Sequence, residues 1–145
     1  MEQNCLNDGE SLRDSIPPRC QALFDSLARE SDDRTMVMPF EMWREVLLND
    51  ADLELARSSY ARLSPEPYQP WLDKLDLKQF YSLRIPKSYL YCTEDNVLPQ
   101  GDWGWHPRMS SRLGLFRFVQ MSGSHEVMFS NPVGLAEKMI AAGRD

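Results

Sequence analysis

His125 stands where a strand-like run stops. Leu115 to Met121 is aromatic and β-branched, and Ser122-Gly-Ser-His125 ends it abruptly. In open α/β sheets, ligands bind just beyond the carboxyl ends of strands, which is where this imidazole falls. A second polar loop, Thr93-Glu-Asp-Asn-Val-Leu-Pro99, follows another strand-like run, Lys87 to Cys92, and offers Glu94 and Asp95. If the two strands are parallel neighbours, their loops lie side by side. A carboxylate bonded to the imidazole Nδ1–H fixes the tautomer and stabilises the imidazolium, which is the base half of a nucleophile–His–acid triad. The competing reading of His125 is a surface loop histidine with no role.

The nucleophile of such a triad belongs on a sharp strand-to-helix turn of the G-x-S-x-G kind. None occurs in these residues. Gly9-Glu-Ser11 begins one, but Arg13 replaces the final glycine and no strand precedes it. His106, the other histidine, lies in the Gly- and Trp-rich stretch from Gln100 to Arg108 and reads as a surface or linker residue. Cys5, Cys20 and Cys92 are odd in number and widely spaced, which fits neither a metal site nor a disulfide framework. No metal or cofactor is expected. A reducing cytoplasm is the expected compartment, with Cys92 a buried thiol in its strand.

The elements around these loops follow from periodicity. Glu126 to Asn131 reads as a short loop. Pro132 opens a helix in which Val133, Ala136, Met139, Ile140 and Gly143 form one face, expected to be buried. Pro107 to Leu113 reads as a short crossover helix. Together these make a β-α-β unit, with parallel strands and a right-handed crossover.

Upstream, the pattern is helical. Residues 1–14 lack periodicity and read as a mobile leader. Ser15 is a candidate N-cap, with Pro17 and Pro18 in the first turn and Cys20, Leu23, Phe24 and Leu27 on one face. Glu30 to Arg34 is a charged, solvated break. Pro39 opens a second helix with Phe40, Trp43, Val46 and Leu47 as its stripe. Asn49 or Asp50 caps a third, with Leu53, Ala56, Tyr60 and Leu63 inward. Such aromatic stripes are core residues, or else Trp43 and Tyr60 line an apolar pocket. Three prolines between Ser64 and Pro70 end the helical region. Trp71 to Phe80 fits either a loose amphipathic helix or an extended linker.

Composition bounds the function. A chain of 145 residues suits one domain, and a net charge of -6 argues against nucleic acid and anionic membranes as partners. No apolar run is long enough to span a bilayer.

Two segments carry a family resemblance. Ile85-Pro-Lys-Ser-Tyr-Leu-Tyr-Cys-Thr-Glu-Asp-Asn-Val-Leu-Pro99 resembles the sixth-to-seventh-strand region of α/β-hydrolase fold proteins. Gly123-Ser-His-Glu-Val-Met-Phe-Ser-Asn-Pro132, with Leu135 and Ala136 beyond, resembles their terminal histidine loop and final helix. The esterase and hydroxynitrile-lyase branch is most similar, because it inserts a helical cap between the two sheet halves. Residues 15–70 resemble that cap, and 71–145 the carboxyl-terminal β-α-β-α part of the core.

The resemblance implies an α/β chain: the C-terminal half of an α/β-hydrolase fold with a helical cap, few parallel strands, and the N-terminal nucleophile half absent. It implies His125 as general base and Asp95 as the acid, with Glu94 the runner-up. The implied activity is that of an ester or related acyl hydrolase, inactive without a nucleophile from elsewhere. A non-catalytic module binding a small molecule or a protein is the alternative. A small ester or lactone is the implied substrate. Two parallel strands alone leave an apolar edge open, so self-association or a complementary chain at that edge is expected.

Overall fold

In the computed structural model, which describes residues 5–144, prolines set several of the helix starts. α1 (Pro18–Glu30) has proline at its first position and buries Phe24 and Ala28. Ser15 does not cap it. That residue closes a short 3₁₀ turn, Arg13–Ser15, with its hydroxyl donating to the Leu12 carbonyl at 2.7 Å. β1 (Thr35–Met36) follows. α2 (Phe40–Met42) begins after Pro39 and widens into a π-helix over Trp43–Leu47, in which Leu48 N–H donates to Trp43 O at 2.8 Å. Trp43, Leu47 and Leu48 are buried there.

α3 (Leu53–Tyr60) is capped by Asp52, which accepts from Leu55 N–H at 2.8 Å. Neither Asn49 nor Asp50 caps it, because both side chains are engaged with other loops. Within the proline-rich break, β2 (Glu66–Pro67) pairs antiparallel with β1. α4 (Gln69–Leu72) and α5 (Lys78–Ser82) then flank a non-helical stretch, so 71–80 combines both expected forms.

The leader expectation needs correction. Its first four residues lie outside the described residues, but residues 5–14 are tied down. Cys5 and Leu6 are buried. Gly9 N–H donates to Leu75 O, Leu75 N–H donates to Glu10 O, and Arg112 donates to both Cys5 O and Glu10. A segment too short to show periodicity is held here by long-range backbone pairing.

β3 (Ser88–Cys92) and β4 (Arg117–Met121) pair in parallel, with Ser88 opposite Arg117 and Cys92 opposite Met121. Their connection carries a 3₁₀ turn, Ser110–Leu113, in place of the expected crossover helix. The expected loop after His125 contains a short helix, α6 (Val127–Ser130). α7 (Pro132–Gly143) is capped by Asn131, whose side chain accepts from Gly134 N–H. The expected burial of its apolar face is also corrected. No residue of α7 is buried, and Val133, Met139 and Ile140 are 70%, 62% and 55% exposed. The helix covers a two-stranded sheet, too narrow to bury that stripe.

The main hydrophobic cluster joins both halves of the chain. Phe24, Met36 and Tyr68 from the helical layer meet Tyr89, Leu98, Trp105 and Met109.

Candidate active site

Parallel register brings the two polar loops together. Thr93 N–H donates to Met121 O at 2.9 Å and Glu94 N–H to Gly123 O at 3.1 Å, so the ladder continues past both strand ends. Gly123 makes the turn into the histidine loop possible. Its φ is +142°, and a Cβ there would fall 2.4 Å from Val127 Cγ2.

At the head of this turn, His125 Nδ1 and Asp95 Oδ2 are 2.6 Å apart. Asp95 is fully buried, while the His125 side chain is 21% exposed. The second carboxylate oxygen, Oδ1, accepts from Val97 N–H at 2.9 Å, which orients the carboxyl plane. The indole of Trp105 stacks on the imidazole, with centroids 5.6 Å apart and planes 20° from parallel. With Nδ1 committed to a carboxylate, Nε2 is the nitrogen left to exchange protons. No described residue hydrogen-bonds Nε2.

The competing residues separate cleanly. Glu94 points to Ser122, whose hydroxyl donates to its carboxylate, and not to His125. His106 stacks on Phe118 at 4.2 Å and its Nδ1 lies 2.6 Å from Ser110 Oγ, which makes it a packing residue on the sheet. Ser11, of the incomplete serine motif, is buried and bonded to Asp14.

One turn contributes contacts that the sequence did not announce. Residues 47–50, leaving the π-helix, reach both loops. Leu47 O accepts from Glu126 N–H at 3.0 Å, Asn49 Nδ2 donates to Glu94 O at 3.1 Å, and Asp50 Oδ2 accepts from Ser124 N–H at 3.2 Å and Ser130 Oγ at 2.6 Å. Burial pushes the Asp50 carboxyl up, but its bonds from Ser124 and Ser130 outweigh this and hold it below the usual carboxylate range. Asn49 and Asp50 read as helix caps in sequence, and only their distance from the true cap, Asp52, could have hinted otherwise.

No family model and no curated protein matches the chain. Among solved structures, an extracellular alpha/beta-hydrolase from a Paenibacillus species is 45% identical, with a TM-score of 0.92 over 97% of this chain. That protein is described as sharing structural and functional homology with tobacco salicylic acid binding protein 2. The chain belongs to the α/β-hydrolase fold superfamily. It spans 58% of the length of that hydrolase and has a partial hydrolase fold.

A cavity of about 340 Å³ opens in the helical layer of this hydrolase-fold chain. Phe24, Met38, Trp43, Tyr60 and Trp71 wall it, and Glu126, next to His125, lies at its border. Both expected readings of Trp43 and Tyr60 thus hold: they pack in the helical layer and they line a pocket. Trp43 Nε1–H donates to Ser59 Oγ at 3.1 Å, and Tyr60 donates to Met38 O at 2.7 Å, so their polar ends are satisfied within the wall.

Proposed function

We propose that this chain supplies the acid–base half of an ester hydrolase site, with His125 as general base and Asp95 as the acid that orients it. The observation that carries this reading is the 2.6 Å contact between His125 Nδ1 and a fully buried carboxylate. Nε2 would take the proton from a nucleophilic hydroxyl as its oxygen bonds to the ester carbonyl carbon. The same nitrogen would return that proton to the leaving alkoxide as the C–O bond breaks, and water would then release the acid.

Residues 1–145 contain no G-x-S-x-G turn, so the nucleophile is assigned to a complementary segment or chain. β4 pairs with one edge of β3, and no other described strand pairs with the second edge. That edge is the proposed docking line for the complement. Alone, the chain should be inactive.

The substrate class is proposed as a small ester, on the cavity and on the neighbour's stated homology to a salicylic acid binding protein. Glu66 and Glu126 both border the cavity, so a neutral aromatic ester suits it better than a free carboxylate, which they would repel. The same cavity favours a second reading, a non-catalytic module that binds small molecules. The odd cysteine count supports a cytoplasmic location for this chain, which cell fractionation would test.

The test is a chimera joining this chain to the part of the Paenibacillus hydrolase outside the match. Hydrolysis of p-nitrophenyl esters by the chimera, with no burst of nitrophenol from the chain alone, is the expected result. A chimera that folds and binds an aromatic ester without turning it over would favour the binding module. A burst from the isolated chain would show that it holds its own nucleophile.

A further inference from the structure

We propose that Asp50 is a positioning residue for His125, clamping the histidine loop to the turn that leaves the π-helix. This rests on the acid–base reading above and names a residue that acts through His125.

The backbone on both sides of His125 is bonded to that one turn. Ser124 N–H, before the histidine, donates to Asp50 Oδ2 at 3.2 Å. Glu126 N–H, after it, donates to Leu47 O at 3.0 Å. Asp50 Oδ2 also accepts from Ser130 Oγ at 2.6 Å, so one oxygen spans the loop and the end of α6. On the acid side, Asn49 Nδ2 holds the Glu94 carbonyl at 3.1 Å, one residue from Asp95. Two adjacent side chains therefore set the spacing of the two loops that carry the pair.

The chemistry suits the task. A carboxylate accepting from a backbone N–H and a hydroxyl makes charge-assisted bonds, stronger than neutral ones. The turn itself is anchored by Leu48, which is fully buried, and by Trp43 in the cavity wall. Fixing Ser124 and Glu126 fixes the Cα–Cβ direction of His125, and Asp95 and Trp105 then select its ring orientation. A Gly-Ser-His turn without such a clamp would sample several directions, and misplacing a catalytic group by an ångström costs about a hundredfold in rate.

The experiment is NMR on the full chain with labelled histidine, comparing wild type with Asp50→Ala, Asp50→Asn, Ser130→Ala and Asp95→Asn. In Asp50→Ala, the Ser124 and Glu126 amides should exchange at least about tenfold faster and the His125 ring signals should broaden, with β3 and β4 amides unchanged. Asp50→Asn keeps an acceptor oxygen and should recover most of the protection. Ser130→Ala leaves the Ser124 bond in place and should give a smaller increase, which keeps the test decisive if Asp50→Ala fails to fold. Unchanged exchange and sharp His125 signals in folded Asp50→Ala, or in Ser130→Ala if Asp50→Ala does not fold, would overturn the clamp. Asp95→Asn is a separate arm: if it leaves the His125 Nδ1–H resonance unmoved, the acid–base reading fails, whereas the clamp is judged on the Ser124 and Glu126 amides alone.

Discussion

The two ends of the β3–β4 pair are finished in opposite ways. At the carboxyl ends, the loops from 93 to 97 and 122 to 126 are closed by polar contacts: Asp95 to His125 and Val97, Asp50 to Ser124 and Ser130, and Asn49 to Glu94. Along the outer side, α7 and the second edge of β3 present apolar surface instead. Val133, Met139 and Ile140 face outward, and a groove of about 340 Å³ runs between Leu90, Met128, Leu135 and Met139. Polar closure is specific to geometry, because an unpaired buried polar group costs roughly 1 to 3 kcal/mol. Apolar exposure carries no such geometric demand and is satisfied by any surface of fitting shape. One end of the unit is therefore intolerant of substitution, and the other is intolerant of isolation.

The sharpest way to break this contrast is at the closed end. In the chimera, His125→Ala should lower kcat by roughly 10²- to 10⁴-fold, the usual span for a lost general base, and Asp95→Asn should fall in the same range. Steady-state kinetics with a p-nitrophenyl ester would measure both. An Asp95→Asn variant as active as the parent would mean that the buried contact is structural only.

Next in size is Gly123→Ala. The new Cβ meets Val127 Cγ2 at 2.4 Å on a backbone with φ of +142°, so strain and overpacking add. A loss of about 2 to 5 kcal/mol is expected in urea unfolding. A loss under about 1 kcal/mol would show the loop to be plastic, and the contrast with the outer face would weaken.

A smaller effect lies away from both ends, where Arg13 bonds Asp25 at 2.7 Å and Tyr68 donates to the same carboxylate. The bonds from Arg13 and Tyr68 hold Asp25 at about 2, below its ordinary 3.8. A depressed carboxyl stabilises the fold above its unfolded value and loses that stabilisation as pH falls through its folded value. Asp25 should therefore cost the fold stability between pH 3.8 and about 2. The pair is one-third exposed, so solvent screening keeps the effect modest. Asp25→Asn should flatten the unfolding midpoint across that window, and an unaltered pH profile would rule the bond out as a contributor.

The smallest effect on stability belongs to the outer face. Met139→Lys with Ile140→Lys should change the unfolding free energy by less than about 0.5 kcal/mol, because neither side chain is buried. The same pair should reduce self-association in light scattering at micromolar concentration. A parent chain that is already a concentration-independent monomer would show that the apolar face recruits nothing.

The sequence was most legible where the pattern was local. Residues Ser88 to Cys92 and Arg117 to Met121 announced strands by composition, and Pro18 and Pro132 marked helix starts. His125 and Asp95 stood out because their loops follow strands that had to be parallel, and the structure brings them together. What stayed hidden was long-range. Cys5 and Leu6 are buried through pairing with residues near Leu75 and Arg112, which no local period reports. Asp50 looks like any helix cap until the fold sets Ser124 beside it, some 70 residues on. α7 has a helical stripe, and its spacing says which residues share a face but not whether a partner covers that face.

The π-helix at Trp43–Leu47 has a consequence for anyone reshaping this cavity. A π-turn holds one residue more than the α-turn it interrupts. Deleting a residue there would let the segment relax into a regular helix and swing all that follows by about 100°, with a shift of about 1.5 Å. Trp43 could still fill the wall, yet Asn49 and Asp50 would face away from the loops they hold. Cavity redesign can therefore exchange side chains along this segment freely only while its residue count is conserved, because the wall of the pocket and the phase of the turn share one stretch of backbone.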